Sequence, residues 1–327
     1  MPNHLSKIAT YALILTLSLT TTGCSAIPPQ NNTSTPQVSQ AVQQDVQYKS
    51  IVKMDKVTSS NNQLKSMLQQ MDKQTNDLKE YLTGNHTQAQ KDSLYSLYLN
   101  NMYLYDKYLS EKFEIGEEAN YADYNMNRRK FTAYGLDFAY DDHKVYLDDY
   151  SLSNSLIAIK YKGEGTFVPE FDMYYQAMTF SKYLSPAWQD YLAICARESQ
   201  YLQDVVFSMY GPGDYTTVNM YELGYWIKCW SDFLIKYPDF SMNNKITENL
   251  DLYTKYYISP LQNDFDDTRA LSKDRQIEFN SLLQSLNKSA EVYRTLDKAY
   301  SLLKANNFKA NKEYNKLYES YEKYSRY

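Results

Sequence analysis

Along most of the chain, apolar residues recur at helical spacing. Leu64, Leu68, Met71, Thr75, Leu78 and Leu82 step by four and three, and five of the six are apolar. A stripe of this width predicts a helix that buries one face, expected over Val46 to Leu82 and broken at Gly84-Asn85. A second helix, from about Thr87 to Phe113, is expected to bury Leu94, Leu97, Tyr98, Met102, Tyr105 and Leu109. Two helices joined by so short a turn read as an antiparallel hairpin.

Between Gly116 and Glu170 the period changes. Gly135–Tyr140, Lys144–Leu147 and Ser155–Tyr161 are short runs rich in β-branched and aromatic residues, separated by Asp141-Asp142 and Gly163-Glu-Gly165. They predict a small antiparallel strand element or an irregular insertion around 135–168.

From Phe171 the helical period returns. Ser185-Pro186 is a helix start, because serine caps and proline suits the first turn. The helix that follows carries Trp188, Tyr191, Leu192, Cys195, Leu202, Val205, Val206 and Met209 on one stripe and stops at Gly211-Pro-Gly213. Val218, Asn219, Glu222 and Leu223 have the spacing of a capping box with a hydrophobic staple. The helix they open would bury Leu223, Trp226, Ile227, Trp230, Phe233 and Leu234, and Pro238 ends it. Trp230 lies mid-stripe and Trp188 in a first turn, so Trp230 is expected to matter more to stability. Another helix is expected over Lys245–Ile258, ended by Ser259-Pro260.

The longest pattern runs from Asp274 to Lys304. Phe279, Leu282, Leu286, Ser289, Tyr293, Leu296, Tyr300 and Leu303 alternate by three and four, which predicts one long helix with coiled-coil-like pairing. Asn306-Asn307 breaks it, and Tyr314, Leu317, Tyr318, Tyr321 and Tyr324 line a final helix that folds back. The fold class is therefore mainly α: antiparallel helical hairpins or a bundle over 46–327, in one body or as two subdomains at 46–168 and 169–327.

Composition changes this picture in two ways. The chain has 35 Tyr, so its core must be rich in tyrosine, with rings buried and hydroxyls finding partners. Only 9 Gly and 9 Pro in 327 residues argue against an all-β chain. The net charge of −5 and the lack of a basic patch give no electrostatic case for nucleic acid.

Candidate chemistry is sparse. His143 stands among Asp141, Asp142, Asp148 and Asp149, a set that could hold a divalent cation but equally makes a polar loop. His86, beside the Gly84-Asn85 turn, is expected to be solvated. Asn263–Asp267 resembles the start of a calcium loop, but Arg269 and Arg275 occupy the positions that need Gly and Glu. Glu164, Glu170 and Asp172 could supply a carboxylate pair for glycoside cleavage. No catalytic, cofactor or metal residue is assigned, and no cofactor is expected. Cys195 and Cys229 lie on or beside apolar stripes and are expected as free buried thiols, because burial demands less geometry than a bridge.

The N-terminus is the most specific stretch. Lys7 precedes an apolar run from Ile8 to Leu19, and Thr21-Thr22-Gly23 places small residues before Cys24. The run is shorter than the ~20 residues of a spanning helix. These 24 residues resemble the signal peptide and lipobox of bacterial lipoproteins, departing from the pattern at Thr21, where leucine is usual. The resemblance implies removal of residues 1–23 and lipidation of Cys24. It also implies a lipid-anchored protein on the outer face of the cell membrane. Residues 24–45, polar and punctuated by Pro, would be a disordered tether. Phe233-Leu-Ile-Lys-Tyr-Pro-Asp239 is similar to the close of tetratricopeptide-like hairpins in envelope lipoproteins.

The expected role is a non-enzymatic interaction or envelope-assembly module whose partners are the membrane, through the lipid, and another envelope protein. The alternatives are an enzyme acting on cell-wall polymer through a carboxylate pair, or a transporter's solute-binding lipoprotein. The last would need a strand–helix alternation that the chain lacks.

Overall fold

The computed structural model describes residues 46–57, 64–113, 138–141, 144–147, 156–161, 167–201, 220–259 and 270–321. All of these belong to one unit, Val42–Tyr327. The helices among them are α1 (Leu64–Thr83), α2 (Gln88–Phe113), α3 (Met173–Phe180), α4 (Pro186–Tyr201) and α5 (Met220–Lys236). They continue with α6 (Asn243–Tyr257), α7 (Lys273–Ser285), α8 (Glu291–Ala305) and α9 (Lys312–Glu319). Two antiparallel two-stranded hairpins interrupt them: β1 (Phe138–Asp141) with β2 (Lys144–Leu147), and β3 (Ile157–Tyr161) with β4 (Phe167–Phe171). The mainly α fold is as expected, and the insertion around 135–168 holds real strand pairing. Its last strand, Phe167-Val-Pro-Glu-Phe171, carries a proline and was not anticipated; Pro169 opposite Ile159 suits a strand with a free edge.

Side-chain bonds give the helix directions. Gln70 meets Tyr105, Gln74 meets Asn101 and Thr75 meets Tyr98, so one number falls as the other rises and α1 and α2 are antiparallel. Met71, Leu78 and Leu82 of the predicted stripe are buried with Thr75, as are Leu94, Tyr98, Met102 and Tyr105 of the second; Leu97 is only half-buried. Gln88 reaches the Tyr183 carbonyl, Asp92 the Ser185 amide, and Tyr103 the Tyr191 hydroxyl, so α2 and α4 run the same way. Glu198 meets Trp230 and Asp190 meets Lys236, which sets α4 and α5 antiparallel. Ser96 meets Ser241, and Lys245 lies over Tyr103, so α6 runs with α2.

The local starts and stops are chemical. The Asp172 carboxylate accepts from the Tyr174 and Tyr175 amides and caps α3. At α4, Pro186 occupies the first turn and the Ser185 carbonyl accepts the Gln189 amide at 2.9 Å. α5 is described from Met220 and ends before Pro238; the expected cap Asn219 lies outside the described residues. Asn243 then closes the α5–α6 turn by donating to the Tyr237 and Pro238 carbonyls. A Cβ at Gly224 would stand 3.3 Å from Tyr257 and 3.4 Å from Leu282, so glycine lets α5 approach both neighbours.

Three expectations are corrected. Val46–Val57 is not the start of α1 but an irregular strap laid across the α1–α2 hairpin. A turn with Lys49 in the left-handed region (φ 49°) is closed by the Tyr48–Ile51 bridge, and Ile51 is fully buried. Helix formation fails there because side chains of the hairpin take the strap's backbone groups. Asp77 accepts from the Ser50 amide and hydroxyl, while Asn101 accepts from the Met54 amide and donates to the Val52 carbonyl.

The long helix expected from Asp274 to Lys304 is two, α7 and α8. Leu286 turns extended (ψ 148°), and the Asn287 side chain accepts from the Ser289 amide and hydroxyl, an Asx turn that competes with helix. Ser289, counted on the stripe, is exposed, and Phe279 packs back on Tyr300 across the turn. Trp188, finally, is as buried as Trp230, with Tyr95, Tyr191 and Phe240 around it at ring distances of 4.9, 5.5 and 4.6 Å.

The C-terminal end is tied by a buried cation. Arg275 stacks 4.0 Å over the Tyr257 ring, donates to the Tyr257 carbonyl at 3.1 Å and pairs with Glu278. Burial pushes the Tyr257 phenol up to about 12, with Arg275 opposing. Tyr314 of α9 donates to the Ile258 carbonyl, so both groups satisfy the last carbonyls of α6.

Candidate functional site at the junction of three helices

Ionisable side chains come together where α2, α4 and α6 run side by side. Tyr103 of α2 and Tyr191 of α4 share a hydrogen bond of 2.8 Å between their hydroxyls. The Lys245 ammonium of α6 lies 3.5 Å from the centre of the Tyr103 ring. This cation–π contact is the interaction that holds it, since Lys245 makes no hydrogen bond or ion pair to any described residue. Asp106, one turn beyond Tyr103, accepts the Phe171 amide at 2.7 Å and so anchors β4 to α2.

Glu198 links the other side. Its Oε1 accepts from Trp230 Nε1 at 2.8 Å and from the Tyr253 hydroxyl at 2.6 Å, joining α4, α5 and α6 through one carboxylate. One turn before Glu198, Cys195 is buried.

The electrostatics follow from burial. Desolvation pushes the Cys195 thiol well above its ordinary value, and Glu198 adds to this, so the sulfur stays protonated. Desolvation likewise raises Tyr103 and Tyr191, which remain phenols. It lowers Lys245, against the opposing pull of Asp106, Cys195 and Glu248. The junction thus offers one amine whose charged form is less favoured than in water, beside neutral hydroxyl donors.

Sequence reasoning had placed Cys195 on a buried stripe. It did not single out Tyr103, Asp106, Glu198 or Lys245. Lys245 adjoins the buried Ile246 and sits three residues after buried Met242. That edge-of-stripe position marks many ordinary lysines, so nothing in the sequence distinguishes it.

The residues weighed from sequence are placed as follows. Cys195 and Cys229 are both buried, and no disulfide joins them. Asp172 caps α3, a structural task. Glu164 lies outside the described residues, and of Glu170 the β4 backbone is described, paired with Ala158. His86 is exposed and stacks on Tyr81 with centroids 3.7 Å apart. Asp141 pairs with Lys144 in the β1–β2 register, while Asp142, His143, Asp148 and Asp149 lie outside the described residues. Among the described residues, no three His, Cys, Asp or Glu are grouped to hold a metal ion. Cys24 and the 24–45 stretch are outside the described residues, and among those described no helix is long and apolar enough to cross a membrane.

No protein-family model, curated protein or solved structure matches the chain.

Proposed function

We propose that the protein is a lipid-anchored helical module on the extracytoplasmic face of the cell membrane, held there through Cys24. Its role in this reading is non-enzymatic: binding another envelope protein or assisting envelope assembly. The observation that carries the reading is the succession of helix pairs, α1–α2 and α4–α5 fixed by side-chain hydrogen bonds and α7–α8 by the Phe279–Tyr300 ring contact. Stacked helix pairs present extended faces suited to protein contacts, and the Lys7–Cys24 stretch supplies the address.

The competing reading, an enzyme with a carboxylate pair, finds Asp172 already occupied as a helix cap. The test is partner capture in intact cells, with a photo-crosslinking residue placed at Met178 or Ile277, both about two-thirds exposed at 64% and 65%. A discrete crosslinked envelope protein is the expected outcome. Recovery of the uncrosslinked chain alone from both positions counts against the reading.

A further inference from the structure

We propose that Lys245 is a covalent carbonyl-binding site, its amine condensing with a small neutral aldehyde to form an imine. Three features of the junction lead there. Lys245 is half-buried yet makes no hydrogen bond or ion pair to any described residue, so its nitrogen lone pair, once deprotonated, is not committed elsewhere. It lies directly over Tyr103, whose hydroxyl is bonded to Tyr191 at 2.8 Å; the pair's second O–H proton reaches only the Met173 sulfur at 3.9 Å, a weak acceptor that a carbonyl oxygen can replace. The other nucleophile present, Cys195, is kept as a thiol by burial, which leaves the amine as the reactive group. Desolvation of Lys245 favours the free amine, the form that attacks.

The step is condensation without redox change. The nitrogen lone pair bonds to the carbonyl carbon while the carbonyl oxygen takes a proton from the Tyr103–Tyr191 pair, giving a carbinolamine. The nitrogen then gives up a proton that returns to the phenols, and loss of water leaves the C=N bond. Asp106, Glu248 and Glu198 surround the site from α2, α6 and α4. Their charge favours a neutral carbonyl compound over an anionic one.

The test is reductive trapping of the full chain near neutral pH with propanal and cyanoborohydride, read residue by residue by peptide mass spectrometry. Lys245 is expected to become propylated several-fold faster than the exposed lysines Lys273 and Lys288. Lys245→Arg should remove that fast phase and leave the others unchanged. Tyr103→Phe, with its helical content checked by circular dichroism, should slow trapping at Lys245 alone. Trapping at Lys245 no faster than at Lys273 and Lys288 in the parent chain overturns the site, and this comparison needs no variant to fold. An unchanged Lys245 rate in Tyr103→Phe overturns the assignment of the proton donor.

Discussion

The α1–α2 and α4–α5 pairs are both antiparallel and both built with tyrosine, but they use it in opposite ways. Between α1 and α2 the hydroxyls and amides lie inside the interface: Thr75 with Tyr98 at 2.9 Å, Tyr105 with Gln70 at 3.1 Å, Asn101 with Gln74 at 3.1 Å. Between α4 and α5 the rings fill the interface, Tyr191 lying 5.7 Å from Trp230 and 6.2 Å from Phe233. The polar groups there are held at the two ends, by Glu198 and Asp190. A polar ladder names its partners, so sliding α1 by one turn would leave several buried groups unpaired. An aromatic interface gains more from burial and is less particular about register. The first pair therefore fixes alignment, and the second supplies more of the cohesion.

Truncating the aromatic pair should cost most. Trp230→Ala and Trp188→Ala are each expected to lose ~3–5 kcal/mol in denaturant unfolding, because both rings are buried and ringed by aromatics. A loss at Trp188 below half that at Trp230 would break the picture of a shared aromatic core.

Asn101→Ala should come next, at about 1–3 kcal/mol, since its side chain serves Val52, Met54 and Gln74 at once. Hydrogen exchange sharpens this: the Met54 amide should lose protection while amides in the middle of α5 keep theirs. Equal loss in both places would mean that the ladder does not act locally.

The smallest effect is on the strap and depends on pH. Burial pushes the Asp77 carboxyl up, but the Ser50 hydroxyl and amide, helped by Lys49 and Lys73, hold it below its usual value of 3.8. A depressed carboxylate stabilises the fold above its unfolded pKa, and the contribution is lost as pH falls through the folded one. Asp77→Asn should therefore cost on the order of 0.5–1 kcal/mol at neutral pH. The gap to the parent should close below about pH 4. A gap that persists in acid would place the effect elsewhere.

The same contrast explains what could be read from sequence. Apolar stripes report which face is buried, so Met71, Leu78 and Leu82 on α1 and Leu223, Trp226 and Trp230 on α5 were legible. The strap was not, because its conformation is set by Asp77 and Asn101, which are 27 and 47 residues from their partners Ser50 and Met54. The break between α7 and α8 was hidden for another reason. Leu286 and Leu296 are both buried, so the three-four spacing carries across the turn, and only Asn287-Lys288-Ser289 marks it. Trp188 was undervalued because an end-of-helix position reveals nothing about Tyr95 and Phe240, which reach it from α2 and from the turn after α5. The junction at Lys245 was illegible because three separate helices build it.

The claim on which the functional account rests is lipid attachment at Cys24, and metabolic labelling with an alkyne fatty acid, followed by cell fractionation, tests it directly. Two acyl chains at ~0.8 kcal/mol per buried methylene hold a protein firmly, whereas one gives marginal binding. The parent chain should carry the label and sediment with membranes. Cys24→Ala should lose the label and either leave the membrane fraction or remain unprocessed. A Cys24→Ala chain that is still cut before residue 24 and still sediments with membranes would contradict the account.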